Sequence, residues 1–210
     1  MKILVVAATH QEIAPFIKLN DNIETLICGV GIPSTVYHLT KKLLQQKYDW
    51  VIQAGIAGFF GNSKIKKGEV VLVEKDVFAD IGVQEKGNLK TIFELGFGNE
   101  NEYPFTKGWL INNSERLQNI SLKKVKAATV NTLSDNKKQT KLIKKYFNAE
   151  TESMEGAAFH FVCLHQNVSF LQLRGISNKV GERDKTKWKI KEAIENLNLE
   201  LIQLIELLNK

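Results

Sequence analysis

The chain has 210 residues, 43% of them hydrophobic, and a formal net charge of +6. That size suits one well-buried α/β core, and no apolar run reaches the roughly 18 residues of a membrane-spanning helix. Among 29 basic residues only Arg116, Arg174 and Arg183 are arginine, and the lysines are scattered singly or in pairs such as Lys41-Lys42, so the charge reads as a solvated surface rather than a nucleic-acid interface. Residues 3–8 are too short an apolar run for a signal peptide, and Cys28 and Cys163 are too few for a disulfide framework. The expected compartment is the cytoplasm.

Residues 2–8 form a continuous apolar run suited to a strand buried on both faces. Thr9-His10-Gln11-Glu12 then opens a helix carrying Ile13, Phe16 and Ile17. A second strand, 24–30, closes at Gly29-Val30-Gly31-Ile32-Pro33-Ser34, and Ser34 is placed to cap a helix bearing Val36, Leu39, Leu43 and Leu44. The third strand, 50–54, runs into a glycine-rich turn at 55–61. Strand, turn and helix alternating in this way predict an α/β sheet with its site at the strand ends.

Residues 68–74 predict a strand that 77–82 continue irregularly. The stretch 82–109 is rich in Gly and Asn and lacks a clean period, which predicts a long, partly irregular excursion. A strand at 124–133 and a helix at 136–146 follow. Ser153 can cap a further helix, with Glu155 in its first turn, where free backbone N–H groups favour a carboxylate. Met154, Ala157, Ala158, Phe161 and Val162 recur at the spacing of a buried helical face. An apolar strand at 168–176 then delivers Ser177-Asn178. A loop at 179–184 and a long helix from about Thr186 end the chain. No linker, repeat or low-complexity tract divides it, so one domain is expected over 1–210.

Three polar residues stand behind apolar strands or at helix starts: Glu12, Glu155 and Asn178. Each has a structural explanation: Thr9-x-x-Glu12 fits a capping box, Glu155 complements its helix dipole, and Asn178 closes a turn. Occurring together at three strand ends, they also suit a ligand site. His10, His38, His160 and His165 form no ligand set, and neither metal nor cofactor is expected.

Glu12 behind the first strand, Ala54-Gly55-Ile56-Ala57-Gly58, Met154-Glu155-Gly156-Ala157 and Arg174-Gly175-Ile176-Ser177-Asn178 together resemble the nucleoside phosphorylase superfamily. The nearer match is its nucleosidase branch, which includes methylthioadenosine/S-adenosylhomocysteine nucleosidases. Within that branch, Ser153-Met154-Glu155-Gly156-Ala157-Ala158 and Ser177-Asn178-Lys179-Val180-Gly181-Glu182-Arg183-Asp184, followed by Trp188, resemble the futalosine hydrolase subfamily. Its members remove hypoxanthine from futalosine on a menaquinone route.

The resemblance implies a three-layer α/β sandwich: a central twisted mixed sheet flanked by helices. It also implies a small nucleoside substrate and a homodimer or higher homo-oligomer. By the same resemblance Glu12 positions and deprotonates the attacking water, Glu155 takes hydrogen bonds from ribose hydroxyls, and Met154, next to Ser153, packs on the sugar. Asn178 stands where adenine-specific nucleosidases carry aspartate; its amide offers a donor and an acceptor, which suits a 6-oxopurine. Phe78 and Asp80 either line the purine pocket or serve as core packing and a turn cap. Arg183 either pairs with Asp184 at the surface or meets the benzoate of futalosine.

No arginine precedes Arg116, and Gln53 and Ile56 stand where phosphorylases of the superfamily carry arginine and a hydroxyl residue, so water is the expected nucleophile. A methylthioadenosine-type nucleosidase, a purine nucleoside phosphorylase and a non-catalytic nucleoside-binding module are the alternatives.

Overall fold

The computed structural model describes residues 1–61, 64–85, 87–134 and 137–209. The first strand, β1 (Ile3–Ala7), is buried along its whole length, as a strand covered on both faces must be. Helix α1 (His10–Leu19) follows, and Ile13 and Phe16 turn inward. Strand β2 (Glu24–Ile27) is shorter than its apolar run, because Gly29 and Gly31 take positive φ of 85° and 93° and turn the chain. Gly31 is also the N-cap of α2 (Ile32–Gln45), with Pro33 just inside it, so Ser34 lies within the first turn and is not the cap.

Strand β3 (Trp50–Phe59) runs straight through the segment expected to turn. Gly55 and Gly58 are strand residues there, kept small because other side chains occupy the space that a Cβ would need. Strand β4 (Val70–Phe78) carries a register shift between Val73 and Lys75 against its parallel neighbour, which accounts for its irregular reading in sequence. The excursion is more regular than expected: β5 (Gly82–Glu85) and β6 (Asn88–Thr91) make a separate hairpin, and β7 (Phe105–Thr106) pairs with β8 (Trp109–Ile111).

Strand β9 (Lys123–Thr129) ends four residues early, and α3 (Lys137–Phe147) follows; the expected first helical residue, Asn136, lies outside the described residues. Then come β10 (Thr151–Ser153), α4 (Gly156–His165), β11 (Ser169–Lys179) and α5 (Ile190–Leu208). Residues Lys185–Lys187 form a 3-10 turn, so the last helix starts later than its apolar stripe suggested.

The sheet is central and mixed. Its order is β2-β1-β3-β10-β9-β4-β8-β7, and β11 bridges β3 and β4. Helices α1 and α5 cover one face through Ile13, Phe16, Leu197, Leu201 and Ile205; α2 and α4 cover the other through Leu39, Leu43, Phe159 and Val162. This is the three-layer α/β arrangement expected. Helix α5 seats directly on β11: a Cβ on Gly175 would lie 2.4 Å from the Ala193 carbonyl oxygen and 3.2 Å from Leu197 Cβ. Gly175→Ala is therefore expected to cost about 1–3 kcal/mol by overpacking, measured by urea denaturation; unchanged stability would show that α5 can lift away freely.

Candidate active site

Strand β3 changes neighbours along its length. Trp50 to Gln53 pair with β1, whereas Gly58 and Phe59 pair with β10, while β11 follows the other edge throughout. A cleft of about 340 Å³ opens where β1 ends and β10 has taken over. Thr9, Glu12, Glu152, Ser153, Met154, Glu155, Ser177, Asn178, Arg183 and Trp188 are among its lining residues.

Glu12 sits in the first turn of α1. Its Oε2 accepts from the Thr9 N–H at 2.9 Å and the Thr9 hydroxyl at 3.0 Å, completing the capping box. Its Oε1 accepts from the Ile56 N–H at 3.0 Å, which ties the helix start to β3. The structural and functional readings of Glu12 thus coexist, since a carboxylate with ~4 acceptor directions has some to spare.

Glu155, not Ser153, is the N-cap of α4, so the helix starts two residues later than expected. Its Oε1 accepts from the Gly31 N–H at 3.1 Å, and its Oε2 lies 3.6 Å from the Arg174 guanidinium. Burial pushes its pKa up, and Arg174 and the Gly31 N–H pull it back; Glu12 adds repulsion, so the two acids feel each other across the cleft. Arg174 is itself buried, donating to Gln53 Oε1 at 3.0 Å and to the Ile56 carbonyl at 3.5 Å. A Cβ on Gly55 would lie 2.5 Å from the Arg174 Nη1 and 3.0 Å from Glu12 Oε1, so glycine is what lets both approach the strand.

Ser153 ends β10, and its hydroxyl accepts from the Gly156 N–H at 3.4 Å. Asn178 is half-buried near the end of β11; its Oδ1 accepts from the Ser177 hydroxyl at 2.8 Å and its Nδ2 donates to the Lys179 carbonyl at 3.0 Å. Arg183 lines the mouth of the cleft, on a loop pinned by the Trp188 indole N–H donating to the Glu182 carbonyl at 2.9 Å. Asp184 lies 3.4 Å from Lys187 and caps the 3-10 turn.

Phe78 and Asp80 do not line this cleft. Phe78 faces a second, aromatic-walled cavity of about 430 Å³ and meets Phe161 edge-on at 6.1 Å, and Asp80 accepts from the Asn131 side chain and N–H. Two further groups escaped sequence reasoning. Glu152 lines the cleft, buried. Asp76 lies beneath the start of α4, where its carboxylate accepts from the Thr129 hydroxyl at 2.9 Å and the Gln172 amide at 3.2 Å. The Thr129 Oγ accepts in turn from the Ala157 N–H at 2.8 Å, one of the free donors of that helix end.

Glycine-lined strand ends, two acids at helix starts and a buried arginine between them define an α/β protein built for a small polar ligand. The chain belongs to the phosphorylase superfamily, whose family model matches residues 16–210. It is 30% identical to a futalosine hydrolase of Thermus thermophilus over 172 residues, covering 80% of this chain and 75% of that one. It is 25% identical to the 5'-methylthioadenosine/S-adenosylhomocysteine nucleosidase of Buchnera aphidicola, covering 90% and 76%. Among solved structures, the native futalosine hydrolase of Helicobacter pylori superposes with a TM-score of 0.80 at 19% identity, covering 98% and 97% of the two chains. That last likeness speaks for the fold.

Burial raises the Asp76 pKa from 3.8 to about 6. The folded state then holds this proton more tightly than the unfolded chain, so the group's contribution to stability falls as pH rises from about 4 to about 6 and is level above. The unfolding free energy of the unaltered protein minus that of Asp76→Asn is expected to drop by on the order of 3 kcal/mol across that window. Urea denaturation at a series of pH values reads this difference, and a flat line would remove Asp76 as a buried ionising group.

Proposed function

We propose that this protein hydrolyses futalosine to hypoxanthine and dehypoxanthine futalosine, as a cytoplasmic step of menaquinone biosynthesis. The observation that carries the reading is the pair of carboxylates, Glu12 and Glu155, buried in one cleft. Breaking an N-glycosidic bond passes through an oxocarbenium-like sugar, which needs negative charge beside it and an activated water on the face opposite the departing base. Glu155, held by the Gly31 N–H and Arg174, would bind the ribose hydroxyls and stabilise the cationic sugar, with Met154 packed against the ring. Glu12, held from Thr9 and Ile56, would orient the water and take its proton.

Water is favoured over phosphate by where the backbone donors point. The two glycine segments expected to cradle a phosphate, a turn at 29–31 and strand β3 at 55–58, aim the Gly31 N–H at Glu155 and the Ile56 N–H at Glu12. A phosphate there would compete for those donors while facing two carboxylates, and Arg174, the nearest cation, already serves Glu155. The likeness to futalosine hydrolases supports the choice of nucleoside, and Asn178, with both an amide donor and an acceptor, supports a 6-oxopurine. Arg183 at the mouth would meet the benzoate tail. We further propose that the chain acts as one domain in a homodimer or higher homo-oligomer, which would cover exposed Tyr37, Phe97 and Tyr103.

The test is to incubate the pure protein with futalosine, inosine and methylthioadenosine, each with and without phosphate. Hypoxanthine release from futalosine without phosphate is expected, and release only with phosphate would replace hydrolysis by phosphorolysis. Glu12→Gln is expected to lose turnover by about 10²-fold or more while still binding nucleoside; an unchanged rate would remove Glu12 from the chemistry. For Asn178→Asp, the ratio of kcat/KM values should move toward adenine nucleosides, and an unmoved ratio would strip Asn178 of its part in base recognition.

A further inference from the structure

Four glutamates line the cleft, Glu12, Glu152, Glu155 and Glu182, and the chemistry above uses Glu12 and Glu155. Of the other two, Glu152 is 3% exposed, a buried acid that this chemistry leaves unused. Its placement relative to Asn178 is what gives it meaning. Strand β10 pairs antiparallel with β3 so that Glu152 stands opposite Gly58, and β11 pairs parallel with β3 so that Asn178 stands opposite the same Gly58. Two polar side chains therefore flank a residue that has none, with Cα atoms about 10 Å apart by two strand spacings.

A Cβ on Gly58 would lie 3.0 Å from Val180 Cγ2 and 3.3 Å from Asn178 Nδ2, so glycine keeps this slot open. Leu133 and Val180 supply apolar lining beside it, as a flat ring requires. The Glu152 carboxylate is held in plane by Ser134, whose N–H donates to Oε1 at 3.2 Å and whose hydroxyl donates to Oε2 at 2.6 Å. Each oxygen retains a further acceptor direction. Ser134 is a neutral partner and Asp80 repels the carboxylate, so a donor arriving on a ligand is the missing complement.

We infer that Glu152 and Asn178 read the purine from two sides, with Glu152 accepting the N1–H of a 6-oxopurine and Asn178 serving its O6 and N7 edge. The inference rests on the nucleosidase reading and names the residue that selects the base. A 6-oxopurine carries a proton on N1, whereas adenine presents a lone pair there, which would face the carboxylate lone pairs. A site built around one hydrogen-bond pattern rejects the ligand that leaves its buried groups unpaired.

The experiment compares kcat/KM for futalosine and its 6-amino-6-deoxy analogue in the unaltered protein and in Glu152→Gln. Glutamine keeps an acceptor for the Ser134 N–H, lets the Ser134 hydroxyl turn to accept, and offers an N–H toward N1. The ratio is expected to shift toward the 6-amino nucleoside by about tenfold or more. An unshifted ratio in a variant whose circular dichroism matches the parent would overturn the assignment. Calorimetry on the unaltered protein supplies a second measurement: hypoxanthine should bind about tenfold or more tighter than 1-methylhypoxanthine, and equal binding would overturn it as well. Base binding needs no turnover, so an inactive protein would count against the hydrolase reading and leave this comparison to decide the role of Glu152.

Discussion

The site depends on one buried cation. Arg174 lies under the cleft on β11, 1% exposed, with Glu155 at 3.6 Å and Gln53 and the Ile56 carbonyl as its other partners. Desolvating a carboxylate is costly, and it stays charged only if charge and hydrogen bonds replace the lost water. For Glu155, burial raises the pKa and Arg174 and the Gly31 N–H oppose that rise; Glu12 accepts hydrogen bonds from the Ile56 and Thr9 N–H groups. Removing the guanidinium would leave a buried acid unpaired, a change worth about 3–5 kcal/mol. Under the proposed function, the two carboxyl groups beside this one cation are what a positively charged sugar would meet.

The second constraint is the change of neighbour along β3. A strand flanked by β1 for its first part and by β10 at its end leaves a gap where β1 stops. Helix α1 starts at that gap and brings Glu12; α4 starts beside it and brings Glu155; β11 crosses beneath and brings Arg174 and Asn178. Helix starts supply free N–H donors and strand ends supply side chains, so acids and amides gather there with little backbone left unsatisfied. Gly55 and Gly58 keep the floor open, which is why a turn was expected where the chain runs extended.

Much of this was legible in order along the chain. Thr9-x-x-Glu12 announced a capped helix behind an apolar strand, and the same carboxylate proved able to serve both cap and cleft. Glu155 and Asn178 were found at a helix start and a strand end because their local surroundings mark such places. Glu152 and Asp76 were not. Their partners, Ser134, Thr129 and Gln172, lie 18, 53 and 96 positions away, and nothing local distinguishes a buried carboxylate from a solvated one. Phe78 and Asp80 also follow an apolar strand, as Asn178 does, yet Phe78 lines a different cavity and Asp80 holds Asn131.

By itself the amino-acid order determined the α/β alternation, the burial of β1, the helix faces and the residues standing at element ends, because period and capping are properties of a few consecutive residues. The tertiary structure decided which ends meet. Only the pairing of β3 with β1, β10 and β11 brings Glu12, Glu152, Glu155 and Asn178 to one cleft, and only burial turns Arg174 from a surface charge into the counter-ion of the site. Register and desolvation arise between segments far apart in the chain, so they exist only once the sheet has formed.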